Sequence, residues 1–167
     1  MLKRRRLMQA AVAGAGLSLL PLTKAAVVPA TLQSQLQESD LIYLTPIQSN
    51  GMESSCQAEI WYVWDGSDIY VCTDTRAWRV RAVAKGLDHT RIWVGDLGNW
   101  KRTDGKYKSL PKIETTSSIV TDTSVHANAL EMFGKKYPIG WIRYGSEFTE
   151  GLADGTRTLL KYHPASV

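Results

Sequence analysis

The residues best suited to chemistry lie in one short stretch: Thr73, Thr75, Arg76, Arg79, Arg81 and Lys85, with Trp78 among them. Asp74 and Thr75 are helix-capping types and Gly86 is a stop, so Arg76 to Lys85 is expected to form one short helix. On a helix Arg76 and Arg79, three apart, share a face, and Arg81 and Lys85, four apart, share another. The first turn of a helix presents unpaired N–H groups and a partial positive charge, a natural anion site. Hydroxyls at Thr73 and Thr75 would add donors, and a guanidinium grips phosphate with two parallel hydrogen bonds. These residue types therefore suit a phosphorylated or otherwise anionic ligand. They equally suit a plainer arrangement, a capped helix with solvated arginines.

Other chemistry is weakly supported. His89, His126 and His163 are far apart and follow no HxH, HExxH or CxxC pattern, so no dedicated metal site is expected. No Gly-x-Ser-x-Gly elbow precedes a serine, which argues against a hydrolase triad. Residues Trp100 to Lys108 gather Lys101, Arg102, Lys106 and Lys108 around Asp104-Gly105. This is expected to be a hairpin, either a solvated tip or a flap carrying Trp100 and Lys101 over a ligand.

The elements that must position these residues are mostly strands. Leu41 to Ile47 is expected as a strand, then a turn at Asn50-Gly51. Gln57 to Trp64 and Asp68 to Thr73 then form a hairpin turning at Asp65-Gly66-Ser67-Asp68, with Trp64 opposite Ile69. Both hairpin faces are apolar: Tyr62, Trp64, Ile69 and Val71 on one, Trp61, Val63, Tyr70 and Cys72 on the other. That pattern suits a barrel wall covered outside by a helix or a second subunit. In this register Cys56 and Cys72 are offset by about four or five residues, more than about 10 Å at roughly 3.3 Å per residue. A disulfide needs Cα atoms within about 7 Å, so two free, buried thiols are expected. Further strands are expected over Arg91–Gly95, Ile113–Val120 and Thr156–Tyr162. Asp122 or Thr123 caps a helix to about Lys136 with His126, Ala129, Leu130, Phe133 and Tyr137 on its apolar stripe. A short helix within Gly140–Leu152 precedes the turn at Asp154-Gly155.

With 167 residues, 44% hydrophobic and 22% charged, the chain suits one globular domain. Its net charge of +4 comes from the first 26 residues, which hold Lys3, Arg4, Arg5, Arg6 and Lys24 and no acidic residue. The remainder has 15 basic and 16 acidic residues. It has no global field for polyanions, so nucleic acid is not an expected partner. The basic start and the uncharged run Ala10 to Leu22, too short for the roughly 20 apolar residues of a membrane span, form a targeting segment over residues 1–30. Thr23, Ala25, Ala26 and Ala30 place cleavage near residues 26 to 31. Arg4-Arg5, one further residue, then Leu7-Met8 resembles a twin-arginine export signal, with Lys3 and Gln9 replacing its flanking residues. The expected location is the periplasm or beyond, with no stable membrane anchor. Residues 31–40 are a polar lead-in helix or tether, and 41–167 the folded domain.

The run Ala58-Glu59-Ile60-Trp61-Tyr62-Val63-Trp64-Asp65-Gly66, then Ile69-Tyr70-Val71-Cys72-Thr73, then Trp78-Arg79-Val80-Arg81 resembles the pyridoxamine 5′-phosphate oxidase-like split-barrel superfamily, which includes flavin- and deazaflavin-dependent reductases. The likeness runs over most of residues 41–163 and is sharpest over about 25 of them. It implies a mainly β (α+β) fold: a six-stranded split β-barrel with a few short flanking helices. It also implies a homodimer with a cofactor between subunits and a small-molecule substrate. FMN is the implied cofactor, with deazaflavin or haem as alternatives. The family's phosphate-gripping lysine maps onto Arg79 and its next arginine onto Arg81, with Thr73 and Thr75 beside them. Glu59, Ile60 and Trp78 would flank the cofactor. The chain departs from the family at Ala77, where a hydroxyl residue is usual, and at Ala58-Glu59-Ile60, in place of Ser-Pro-Val.

Overall fold

The computed structural model describes residues 28–165; the expected twin-arginine segment lies outside the described residues. Along the chain run α1 (Ala30–Glu38), β1 (Ile42–Pro46), β2 (Ala58–Ile60), β3 (Val63–Trp64), β4 (Ile69–Asp74), α2 (Trp78–Ala84) and β5 (His89–Val94). After two 3₁₀ turns, Trp100–Arg102 and Lys106–Ser109, come β6 (Lys112–Val120), α3 (Thr123–Lys136), α4 (Pro138–Asp154) and β7 (Arg157–Pro164). The strands form one antiparallel sheet ordered β2-β1-β5-β6-β7-β4-β3.

Chain connectivity dictates how that sheet must curl. β2 and β3 are its two outermost strands, yet only Trp61 and Tyr62 separate them. Three residue steps reach at most about 11 Å, so the two edges of a seven-stranded sheet are brought together. The result is a half-barrel. The expected count of six strands is corrected to seven, because the expected continuous strand Gln57–Trp64 breaks at Trp61-Tyr62. Its first half pairs with β1, Ile60 opposite Ile42, and its second half with β4, Trp64 opposite Ile69.

The alternation expected for the hairpin is present. Tyr62, Ile69 and Val71 point into the barrel with Ile42, Leu44, Ile92 and Leu160, and Leu36 of α1 closes that core at 1% exposure. Val63, Tyr70 and Cys72 point outward beneath Phe133 of α3 and Phe148 of α4. Helices rather than solvent therefore cover the outer face. Gly140 lets α4 approach closely, since a Cβ there would stand 2.1 Å from the Trp61 ring. Asp122 caps α3, accepting from the Ser124 N–H at 2.8 Å. α4 is 17 residues long, well beyond the short helix expected.

Three expectations are corrected. Trp100–Lys108 is not a hairpin but two 3₁₀ turns, because Tyr107 buries its ring between Tyr43 and Trp93 and pulls the segment against the sheet. Lys108, whose Nζ lies 2.7 Å from Glu53 Oε2, is engaged there instead of pointing freely into water. Asp74 and Thr75 do not cap α2. The Asp74 carbonyl accepts from Ala77 N–H in a separate turn, so the helix starts late, with Ala77 at its N-cap and only seven residues. Cys56 and Cys72 are both free, as expected, but Cys56 is half-buried.

Candidate cofactor site

The split between the sheet edges makes a cleft. Upstream of Val63 the chain diverges from β4, so the β3 side of Val71–Asp74 has no ladder partner among the described residues. A hollow of about 340 Å³ opens there, lined by Leu41, Glu59, Ile60, Trp61, Cys72, Thr73, Phe148 and Arg157. Three of the seven residues expected at the site, Glu59, Ile60 and Thr73, meet in this cleft from opposite edges of the sheet.

Arg79 joins them through Thr73. Its Nη1 donates to the Thr73 hydroxyl. The hydroxyl thus accepts, and its own proton is left for another acceptor. Arg79 Nε and the hydroxyl of Tyr162 are buried with no hydrogen-bond partner among the described residues. Burial raises the Tyr162 pKa, and the nearby Arg79 charge partly opposes that. A buried N–H without an acceptor costs about 1–3 kcal/mol. An anion reaching Arg79 and Thr73 would supply the missing acceptor, so these residues fit a phosphate.

The other expected residues are turned elsewhere. Thr75 Oγ1 donates to Gly155 O at 2.8 Å and lies 2.9 Å from Thr158 Oγ1, tying the β4 end to β7. Trp78 Nε1 donates to Ser54 Oγ at 3.1 Å, and the exposed Arg81 guanidinium lies 5.5 Å from the Trp78 ring centroid. Trp78 and Arg81 thus meet each other outside the cleft lining. Arg76, on the helix face expected to be shared with Arg79, lies in the turn before α2 and forms an exposed pair with Asp74. Glu59 lines the cleft but spends its carboxylate on Asn99 Nδ2 at 2.8 Å and Trp100 N–H at 3.2 Å.

Arg157 was not anticipated. It pairs across from Asp74, bonds Glu147 and lies 4.8 Å from the Phe148 ring centroid, bringing a second guanidinium to the cleft. Only the β4–β7 register places it there, so no local signal marks it. Beside it, burial pushes the Cys72 thiol up to about 12, which keeps it protonated and unsuited to nucleophilic work. Among the described residues no group of three His, Cys, Asp or Glu could hold a metal ion. Among the same residues no helix is long and apolar enough to cross a membrane.

Known structures share this architecture. The chain is similar to the heme storage protein HutZ of Vibrio cholerae, at 15% identity and TM-score 0.55, covering 82% of this chain and 89% of that one. It is similar to an F420 reductase at 17% identity and TM-score 0.50, over 83% and 97%. A third is a Clostridium acetobutylicum protein related to general stress protein 26, of the pyridoxinephosphate oxidase family, at 14% identity and TM-score 0.51, over 80% and 81%. The fold is a split β-barrel. No family model matches the chain. No curated protein matches it either. At these identities the split-barrel likeness establishes architecture, and the chemistry of the cleft rests on the residues just described.

Proposed function

We propose that this split barrel is an exported homodimeric oxidoreductase that binds a flavin or deazaflavin, FMN being the simplest case, and passes hydride or electrons to a small substrate. The observation that carries this reading is the Thr73–Arg79 pair beside a cleft shared by both sheet edges, with a buried guanidinium N–H still lacking an acceptor. Arg79 and Thr73 would hold the phosphate. Ile60, Trp61 and Phe148 give the cleft an apolar lining against which a flat ring can lie. Arg157 adds positive charge at its rim. When bound, the cofactor supplies the redox chemistry, and the protein orients it and keeps water away. The leader supports export by the twin-arginine route, which carries folded and cofactor-loaded proteins, to the periplasm.

A second reading is a non-catalytic barrel that holds haem or another small ligand in the same cleft, supported by the likeness to HutZ. None of the three histidines lines this cleft, which counts against axial ligation from within one subunit. The deciding experiment is an absorbance spectrum of the exported protein, followed by titration with FMN, deazaflavin and haem. A band near 450 nm that passes into the supernatant on heat release supports a flavin, and a Soret band supports haem. A colourless protein that takes up none of the three sinks both readings.

A further inference from the structure

Ile139 and Ile142 stand on the outer side of α4 at 86% and 90% exposure, the most exposed large apolar side chains among the described residues. They are three residues apart and so share one helix face. Ile139 also rims a second hollow, of about 380 Å³, between the start of α4 and the start of β1. Its wall combines Leu41, Pro138 and the Trp61 ring, stacked 4.6 Å from that of Tyr137, with Lys136 beside them. Asp40 and Asp96 frame one side, and exposed Leu97 follows Asp96 there. Arg143 follows Ile142 on α4. Among the described residues none of Asp40, Asp96 and Arg143 forms an ion pair. Asp96 Oδ1 accepts from the Gly98 N–H at 2.9 Å and the Arg143 guanidinium lies 5.2 Å from the Tyr144 ring centroid, which leaves both charge signs able to take an ionic partner.

Single exposed apolar residues are ordinary. A contiguous apolar patch beside a hollow marks an interaction surface. A two-fold contact requires one patch to carry both halves of the complementarity, knob with socket and cation with anion. This patch carries both. We propose that it binds a second copy of the same chain, with Ile139 and Ile142 of each copy entering the hollow of the other. Arg143 of each copy then approaches Asp40 and Asp96 of the other. The proposal rests on the homodimer reading above and adds the face used.

The test is the mass of the full-length chain by analytical ultracentrifugation across micromolar concentrations, with circular dichroism as a fold control. The wild type should be a dimer. I142E should raise its dissociation constant at least about 100-fold, because a carboxylate would be buried there unpaired. It should leave the dichroism unchanged, since that side chain lies in water in the single chain. R143E should weaken the dimer about tenfold, and adding D96R should restore it. An I142E dimer of wild-type affinity overturns this face while leaving the homodimer intact. A monomeric wild type overturns both. Ile142-dependent sedimentation of a monomeric wild type with phosphatidylglycerol vesicles also overturns the proposal and assigns the patch to a lipid surface.

Discussion

The hydroxyl of Tyr137 accepts the backbone N–H of Tyr62 at 3.0 Å and lies 2.8 Å from the Tyr62 carbonyl oxygen. It also lies 2.9 Å from Asp40 O. At the point where the chain leaves one sheet edge for the other, this hydroxyl stands in for the missing ladder partner. Trp61 stacks on the same ring, and Tyr62 donates its own hydroxyl to Leu36 O at 2.9 Å. The split is therefore pinned by groups from α1 and the α3–α4 junction.

Replacing Tyr137 by Phe keeps the ring and removes the pin. The buried Tyr62 N–H then lacks an acceptor, which costs about 1–3 kcal/mol. Urea unfolding should show that loss, while the Trp61 stack persists in near-ultraviolet dichroism. A loss below about 0.5 kcal/mol would remove the bridging role.

Arg79→Ala should weaken binding of the phosphorylated cofactor by about 1.5–3 kcal/mol, roughly 10- to 150-fold. Thr75→Val should leave that affinity unchanged, because its hydroxyl is spent on Gly155 and Thr158. It should instead cost about 1 kcal/mol of stability. Fluorescence titration with FMN and chemical denaturation measure the two effects, and equal loss of affinity in both variants would move the phosphate to the turn.

Lys136 Nζ is buried without a hydrogen-bond partner among the described residues, 3.5 Å from the Tyr62 ring centroid. Burial lowers its pKa to about 8, with Asp40 opposing weakly. Below pH 8 folded and unfolded chains are both protonated, and the folded one bears the desolvation cost. Between pH 8 and about 10.5 the folded chain alone releases the proton, so this group's contribution to stability rises with pH. Lys136→Met should stabilise the protein at pH 7 by about 1–2 kcal/mol, discounted for partial exposure and the lost ring contact. Its advantage should shrink towards pH 10 in melting experiments, and a constant or growing advantage would contradict the assignment.

Val28 is buried in the barrel core, its carbonyl accepts from Gln33 Nε2 at 2.7 Å, and α1 begins at Ala30. Cleavage after Ala30 would cut into α1 and discard a core residue. Within the interval expected from the small residues, the mature protein should therefore start at 26–28. If the leader is removed on export as proposed, N-terminal sequencing of the processed protein decides this, and a start at residue 31 would show that Val28 is dispensable.

What the sequence determined by itself is what adjacency and periodicity control. Residues two apart share a strand face, so the inward set Tyr62, Ile69 and Val71 and the outward set Val63, Tyr70 and Cys72 were legible before any coordinates. Trp64 opposite Ile69 followed from the turn between them, and the two cysteines are free as expected, although the hairpin register used to separate them stops at Val63. That Thr73 and Arg79 fall at one corner was legible because six positions of local chain bring them together. Tertiary structure decided the rest. A continuous β-like run does not announce that its halves will pair with opposite edges of the sheet, since only Tyr137, 75 residues away, satisfies the break. A similarly long separation hid Arg157, which the β4–β7 register carries to the cleft. It also decided which hydroxyls and guanidiniums stayed free. Thr75 and Arg76 have the right chemistry, but β7 and Asp74 claim them, because a donor takes the nearest acceptor that folding provides.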